Sequence, residues 1–320
     1  MSKKLRILVV MDPPATINPD GDTTLVMIME SLARGYEVGL CEARHLELDG
    51  PEAWASVTNV VKAMRARPAF ELGATTREPL SAFQAVLMRK DPPFDIEYFT
   101  STLLLDRARK KTLVVNDPPA LRTYNEKLAI FEFPKLIAPT FVTRSLTRLR
   151  QLVDELGGEL IVKPLDGAGG SGVFHVRRED RNLPVIFETL THGEKRAVMA
   201  QQYLPAAREG DKRILLLDGE YLGSVLRVPR ADENRGNLHV GGNAVRSPLS
   251  PREQQICDEV GAFCKKVGLY FVGIDVIGGV LTEVNITSPT GIQEANRLEG
   301  HTGKDRLEAR FVDWLAQRLA

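Results

Sequence analysis

The chain has 320 residues, which at roughly 150 residues per domain predicts about two domains, or three small ones. Apolar residues make up 43% and charged residues 26%, close to the averages of globular proteins, so extensive disorder and a fibrous fold are disfavoured. Lys plus Arg and Asp plus Glu each total 42. The resulting zero formal net charge disfavours a nucleic-acid partner, since such proteins usually carry a basic excess.

Signals for membrane insertion and secretion are weak. No apolar run approaches the ~20 residues of a membrane helix, and Asp12-Pro13-Pro14 ends the first apolar run too early for a signal peptide. The cysteines, Cys41, Cys257 and Cys264, are too scattered for a disulfide framework, and no Cys/His spacing is typical of zinc binding. We therefore expect a cytoplasmic protein without a membrane partner.

The first third of the chain alternates between strand and helix patterns. Asp22 is placed to cap the first helix, and Gly35 is placed to end it. This order of elements predicts a parallel sheet within a small α/β domain, whereas segment 53–82 has no diagnostic pattern. The predicted strands are 5–11, 36–40, 85–88 and 112–115, and the predicted helices are 25–32 and 97–109.

After Pro118-Pro119, which is expected to break the chain, strands dominate. Ser145 is placed to cap a helix that Gly157-Gly158 ends, and Asp218-Gly219 is a strong hairpin-turn signal. The predicted strands are 159–164, 173–176, 198–203 and 213–217, with two more within 271–286. The predicted helices are 120–131, 146–156, 252–267 and 304–319.

The run Gly167-Ala168-Gly169-Gly170-Ser171-Gly172 matches the dinucleotide-binding pattern G-x-G-x-x-G. That pattern requires a helix after the loop, but Val173 to Val176 alternates as a strand. No Lys-Ser or Lys-Thr closes the loop, so the P-loop pattern fails too. Two interpretations stay open on the loop alone: a glycine loop whose backbone amides cover phosphates, or a tight surface turn.

Two lysines favour the phosphate-binding interpretation. Lys163 interrupts an apolar strand four residues before Gly167, and Lys127 lies on the preceding segment. Lysines beside a glycine loop are typical of a clamp on ATP, in which point charges face phosphate oxygens. The alternative for any single lysine is a solvated surface position, and it is less attractive for Lys163.

The apolar segment 275–285 carries three oxygen-bearing side chains, Asp275, Glu283 and Asn285. Carboxylate and amide oxygens suit Mg²⁺, and unpaired buried carboxylates are costly; the alternative is an exposed hairpin face. If Gly278-Gly279 formed a regular two-residue turn, Glu283 would point away from Asp275 because side chains alternate along strands. A shared metal site therefore predicts an odd-length loop or a β-bulge here.

These residues, in this order, resemble the ATP-grasp ligases, and more narrowly the chain is similar to the bacterial glutathione synthetases. The run Met88-Arg89-Lys90-Asp91-Pro92-Pro93-Phe94-Asp95 carries most of the narrower resemblance. The other matching stretches are Asn125-Glu126-Lys127, Lys163-Pro164-Leu165-Asp166-Gly167, Gln201-Gln202-Tyr203-Leu204-Pro205, Gly210-Asp211-Lys212-Arg213, Glu283-Val284-Asn285 and Thr287-Ser288-Pro289-Thr290.

The resemblance implies an ATP-grasp fold of the α/β class, α+β overall. It places an N-terminal parallel-sheet domain at 1–122, a small lid domain at 123–200 and a C-terminal antiparallel-sheet domain at 201–320. It implies ATP as co-substrate with two Mg²⁺ ions, or Mn²⁺, and ligation of γ-glutamylcysteine to glycine through an acyl phosphate. It also implies a homo-oligomer.

The resemblance assigns roles to particular side chains. ATP contacts are expected at Lys127, Lys163, Gly167, Gly169, Gly170, Gln201, Gln202, Tyr203, Leu204 and Asp211. Metal ligands are expected at Asp275, Glu283 and Asn285. Contacts to the acyl phosphate and substrate carboxylates are expected at Arg213, Arg227 and Arg235, the last within a mobile loop at 228–244. Other substrate contacts are expected at Arg89, Ser288, Pro289 and Thr290.

Two other functions remain open. Another ATP-grasp carboxylate–amine ligase, such as a D-alanine–D-alanine type, would share the clamp and metal residues but should lack the run 88–95. A non-catalytic nucleotide-binding regulator would be expected to lose metal ligands or arginines, which this chain keeps. Gly291 departs from the larger residue that the family can carry, which leaves the shape of the acceptor pocket open.

Overall fold

A computed structural model of the chain describes residues 4–229 and 243–320. Within these ranges the helices are α1 (Thr23–Ala33), α2 (Ile96–Asp106), α3 (Pro118–Thr123), α4 (Leu146–Glu155), α5 (Leu183–Thr191), α6 (Pro251–Val267), α7 (Ile292–Glu299) and α8 (Leu307–Arg318). As predicted, Asp22 caps α1 by accepting a hydrogen bond from the Leu25 amide. None of the helices in these ranges combines the length and apolarity that crossing a membrane requires.

The N-terminal sheet is mixed, and its strand order is β3-β4-β2-β1-β6-β7, with β5 paired to β4. β1 lies parallel to both β2 and β6, and β6 lies parallel to β7, which confirms the predicted parallel sheet. The strands are β1 (Arg6–Val10), β2 (Glu37–Cys41), β3 (Leu46–Asp49), β4 (Glu52–Ala63), β5 (Phe70–Pro79), β6 (Ala85–Met88) and β7 (Leu113–Val115).

The segment without a diagnostic pattern forms the long antiparallel hairpin β4–β5. The inward positions Ala53, Ala55 and Val57 are buried and do alternate, but two of them are alanines, so the hydrophobic signal is faint. β5 is exposed at residues 71–77 and has no apolar face for periodicity to detect.

The predicted helix 120–131 is wrong in extent. α3 ends at Thr123, and only a short 3₁₀ turn, Leu128–Glu132, follows. The Asn125 carboxamide oxygen accepts the main-chain amides of Lys127 and Leu128, a local side-chain turn that replaces helical hydrogen bonding. The two prolines occupy the first turn of α3 instead of breaking the chain, because proline is tolerated there.

The second sheet is antiparallel, in the order β10-β9-β11-β8. The glycine loop joins β9 to β10, so a strand follows it, as predicted. One face packs on α4 and α5 around the fully buried Phe187. The strands are β8 (Thr140–Thr143), β9 (Glu159–Pro164), β10 (Phe174–Arg177) and β11 (Val198–Gln202).

The third sheet is antiparallel, in the order β14-β13-β12-β15-β16. The predicted turn at Asp218-Gly219 joins β12 to β13, with φ of +50° and +86° at the two residues. The domain boundaries stay predictions, and β11 crosses the one at 200/201. The strands are β12 (Asp211–Leu217), β13 (Glu220–Val228), β14 (Asn243–Val245), β15 (Phe271–Ile277) and β16 (Val280–Asn285).

The three cysteines, Cys41, Cys257 and Cys264, are free and buried. Burial raises the pKa of each thiol to about 12, so the reactive thiolate is scarce at neutral pH. We expect no reaction of the native protein with a thiol reagent such as dithionitrobenzoate at pH 8, and reaction of all three cysteines in urea. Rapid labelling of the native protein would contradict this burial.

Candidate active site

A cavity of about 1800 Å³ lies between the three sheets. Its lining includes every predicted site residue within the described ranges, whereas Arg235 and most of loop 228–244 lie outside them. The predicted residues that line it are Arg89, Lys127, Lys163, Gly167, Gly169, Gly170, Gln201, Gln202, Tyr203, Leu204, Asp211, Arg213, Arg227, Asp275, Glu283, Asn285, Ser288, Pro289 and Thr290.

The β15–β16 hairpin contains the predicted bulge. Gly278-Gly279 forms a two-residue turn, but the register shifts, so that Asp275 faces Glu283 and Thr282 is the extra residue. Asn285, two residues along β16, donates a 3.2 Å hydrogen bond to the Asp275 carboxylate. The carboxylates and the amide therefore share one face of the sheet.

Asp275 is held by two arginines. Arg213 bridges both carboxylate oxygens, with Nε at 2.5 Å and Nη2 at 3.0 Å, and Arg227 Nη2 lies 3.1 Å from Oδ1. Burial alone would raise the pKa of Asp275, but the charges of Arg213 and Arg227 outweigh it and hold that pKa well below its usual range. Asp275 is therefore a permanent anion at physiological pH.

Arg227 also pairs with Asp211. Burial raises the pKa of Asp211 to about 6, against the opposing charge of Arg227. The predicted role of Asp211 as an ATP contact stays a prediction.

The two predicted clamp lysines, Lys127 and Lys163, both contact β16. Lys127 Nζ lies 2.9 Å from Glu283 Oε1 and donates a 2.5 Å hydrogen bond to the Gly167 carbonyl. Lys163 Nζ donates to the Thr282 carbonyl at 3.4 Å. Burial lowers the pKa of Lys163, and the charge of Glu283 opposes that shift. Both lysines therefore face β16, where an anionic ligand would meet them.

Backbone geometry explains why glycines occupy most positions of the loop 167–172. Gly169 and Gly170 have φ of +62° and +80°, values that other residues rarely adopt. At Gly167 a Cβ would lie 2.9 Å from the Ser171 carbonyl oxygen. Side chains are therefore excluded from the tightest part of the loop, which leaves its backbone open to the cavity.

One wall of the cavity is aromatic. Tyr203, just after β11, stacks on His175 of β10, with ring centroids 4.0 Å apart and planes 11° apart. His175 Nε2 lies 2.8 Å from Glu159 Oε2. His175 could not be identified from the sequence, because strand alternation indicates which face of the sheet it occupies but not its partner two strands away.

Arg89 supports the opposite side of the cavity. Its Nε donates to Thr24 Oγ1 and its Nη2 to the Pro289 carbonyl, both at 3.0 Å. Ser288 Oγ donates to Asp91 Oδ1 at 2.5 Å. The N-terminal part of the chain therefore holds Ser288 and Pro289 against the cavity.

Glu126 belongs to the Asn125-Glu126-Lys127 motif, but the sequence predicts no role for it. It is an acid on the cavity wall whose Oε1 accepts from the amides of Ile286 and Thr287 and from Thr287 Oγ1, at 2.9, 3.0 and 2.8 Å. Burial, followed by the charge of Glu283, raises its pKa. Its place in the Asn125-Glu126-Lys127 motif was the available sequence signal.

The described residues could hold a divalent cation only if a bound ligand supplied further oxygen donors. Across the described ranges, no three His, Cys, Asp or Glu side chains cluster as a metal site. The predicted set instead has two carboxylates, Asp275 and Glu283, and the Asn285 amide. Hard oxygen donors of this kind suit Mg²⁺ when phosphate oxygens complete the shell.

Two protein-family models together match most of the chain. "Prokaryotic glutathione synthetase, N-terminal domain" matches residues 5–122, and "Prokaryotic glutathione synthetase, ATP-grasp domain" matches residues 126–300. The ATP-grasp match includes every described cavity residue predicted to bind ATP or metal.

Curated relatives are similar over nearly their whole length. The glutathione synthetase of Ralstonia nicotianae is 46% identical over 298 residues, covering 92% of both chains. That of Bradyrhizobium diazoefficiens is 44% identical over 297 residues, covering 93% of this chain and 94% of the relative. That of Yersinia pestis is 42% identical over 318 residues, covering 99% and 98%.

Solved structures share the fold at low identity. A D-cycloserine synthetase superposes with a TM-score of 0.69 at 16% identity, covering 98% of this chain and all of the other. A RimK-domain ATP-grasp protein from Sphaerobacter thermophilus gives 0.62 at 17% identity, covering 97% and 98%. The expected ATP-grasp fold is thereby confirmed, and from the near full-length matches we conclude that the chain belongs to the prokaryotic glutathione synthetase family.

Proposed function

We propose that this ATP-dependent ligase joins the cysteinyl carboxylate of γ-glutamylcysteine to the amine of glycine, giving glutathione, ADP and phosphate. The observation that carries the proposal is the cavity itself. There the acids of the β15–β16 hairpin meet two lysines and two arginines beneath a glycine loop. Near full-length similarity to glutathione synthetases supports the choice of substrates.

The reaction must bring two anions together. A carboxylate is a poor electrophile and repels the polyphosphate of ATP, so positive charge has to gather both and stabilise the transferring phosphoryl group. In this proposal Lys127 and Lys163 contact the phosphates, and the backbone of the glycine loop covers them. Arg213 and Arg227 receive the substrate carboxylate and the acyl phosphate that replaces it.

Asp275, Glu283 and Asn285 would hold the divalent cation that the family uses with ATP. We propose two Mg²⁺ ions here, replaceable by Mn²⁺. A bound cation supplies Lewis-acid withdrawal of charge from phosphate oxygens. The protein side chains contribute fixed hard donors, and the ion pairs from Arg213 and Lys127 orient the two carboxylates.

The second half of the reaction needs protection from water. Glycine must reach the acyl phosphate before hydrolysis does. We assign the glycine end of the cavity to Ser288, Pro289 and Thr290, because this segment directly follows the metal strand β16. The role of loop 228–244 with Arg235 as a water-excluding cover stays a prediction.

The expected homo-oligomer also stays a prediction. We propose the outer edge of β5 as the contact, since β5 pairs only with β4 among the described strands and exposed edges invite pairing with another chain. Light scattering of the purified protein would measure the oligomeric state.

A cytoplasmic setting is a further proposal, supported by the three free cysteines.

The proposed function predicts a specific pattern of phosphate release. With ATP, Mg²⁺ and γ-glutamylcysteine, glycine should accelerate release and be incorporated one-to-one with phosphate, while D-alanine and glutamate should add little. Mass spectrometry of the product identifies the peptide. Equal acceleration by D-alanine, or release without incorporation of any amine, would contradict the assignment of substrates.

A further inference from the structure

Glu126 binds the chain at the point where the metal strand ends. Its Oε1 accepts three hydrogen bonds, from the amides of Ile286 and Thr287 and from the Thr287 hydroxyl. Its main-chain carbonyl accepts the Val284 amide at 3.0 Å. Glu126 therefore holds β16 by its backbone and the residues just beyond β16 by its side chain.

The neighbours of Glu126 extend this contact to the glycine loop. Asn125 Nδ2 donates to the Leu165 carbonyl at 3.1 Å. Lys127 Nζ contacts both the Gly167 carbonyl and Glu283. Segment 125–127 thus joins the loop expected to cover ATP to the strand expected to hold the metal.

Thr287–Thr290, here called the acceptor segment, is held residue by residue. Thr287 is bound by Glu126, and the next three residues are bound by charged side chains from elsewhere in the chain. The partners are Asp91 for the Ser288 hydroxyl, Arg89 for the Pro289 carbonyl and Arg213 for the Thr290 carbonyl. Glu126 is the contact closest to the metal strand, so it sets where the segment departs from β16.

We propose that Glu126 is a positioning residue that fixes the acceptor segment relative to the metal strand, so that the incoming amine meets the acyl phosphate. This inference rests on the proposed function and adds a residue to it. Glu126 touches neither reacting atom in the proposal; it acts through Thr287.

The expected consequence of losing Glu126 is uncoupling. Ångström-scale misplacement of an acceptor slows its attack strongly, whereas water needs no fixed binding site. Phosphoryl transfer to the carboxylate uses other side chains and should continue. The acyl phosphate would then be hydrolysed more often, and more ATP would be consumed per peptide.

The test compares Glu126→Ala and Thr287→Val with the wild type, measuring both phosphate and peptide at varied glycine. We expect the KM for glycine to rise on the order of tenfold, as for losing a hydrogen bond to a charged group, with phosphate released in excess of peptide. The KM for ATP should stay within about twofold of wild type, since the ATP contacts are intact. Thr287→Ser keeps the hydroxyl and should lie closer to wild type than Thr287→Val.

Glu132→Ala is the matched control, since Glu132 is an exposed acid six residues further along the chain. A one-to-one ratio of phosphate to peptide and an unchanged KM for glycine in folded Glu126→Ala would overturn the positioning role. A lower kcat with both of these unchanged would also overturn it, because a merely structural effect gives that result. Failure of the wild type to form peptide would instead refute the proposed function.

Discussion

Replacing Glu283 with Gln should lower kcat by at least about 100-fold, because the variant loses a charged oxygen from the proposed metal site. The same change removes the partner of Lys127, which lies 2.9 Å from the carboxylate. The fold should persist, since Gln has nearly the same shape and Glu283 is only partly buried. Phosphate release at increasing Mg²⁺, with circular dichroism as a check on folding, measures the effect.

Glu220→Gln is the matched control, because Glu220 is an exposed acid at the start of β13 in the same sheet. It should leave kcat unchanged. Near-normal phosphate release by Glu283→Gln at saturating Mg²⁺ would remove Glu283 from the metal site.

Replacing Asp275 with Asn should destabilise the protein as well as inactivate it. Asp275 is 4% exposed and pairs with two buried arginines, Arg213 and Arg227. Removing one partner of a buried ion pair typically costs about 3–5 kcal/mol, since the remaining charge loses its compensation. Thermal unfolding should show a clearly lower melting temperature, with Asp305→Asn, at an exposed acid, as the unaffected control.

The same comparison has an expected pH dependence. The pKa of Asp275 is lowered on folding from the ordinary value of 3.8, so its contribution to stability is fully present above that value. It is lost only as the pH falls through the depressed folded pKa. The difference in melting temperature between wild type and Asp275→Asn should therefore stay nearly constant from pH 7 to about 4 and narrow in stronger acid. A difference that vanishes near pH 6 would contradict the assignment.

The geometry of the β15–β16 hairpin could be predicted in part from the sequence. Asp275 and Glu283 could share a face only if the hairpin departed from regular pairing, and the strand period alone required that departure. Two hairpin geometries would meet that requirement: one with an odd-length loop and one with a β-bulge. The bulge at Thr282 is the one observed; it keeps the two-residue glycine turn and gives Thr282 a carbonyl contact with Lys163.

Contacts between distant segments could not be predicted from the sequence in the same way. Glu126 lies about 160 positions from Ile286 and Thr287, and nothing local indicates that pairing. His175 and Tyr203 stack between strands whose adjacency depends on the whole second sheet. In each case the residue type is visible in the sequence, but its partner is set by tertiary packing.

The failures in local structure also have physical causes. The hairpin β4–β5 buries small alanines on one strand and exposes nearly all of the other, so periodicity gives little signal. The helix expected over 120–131 stops because Asn125 satisfies the next amides with its own side chain. Propensity alone favoured the helix, and a single side-chain turn overrode it.

In the proposed reaction, the cysteinyl carboxylate of γ-glutamylcysteine is phosphorylated in this cavity. The most direct measurement supplies γ-glutamylcysteine labelled with ¹⁸O in that carboxylate, together with ATP, Mg²⁺ and glycine, and analyses the released phosphate by mass spectrometry. An acyl phosphate passes one carboxylate oxygen to phosphate, so we expect one ¹⁸O in each phosphate released. Unlabelled phosphate released together with peptide would contradict it.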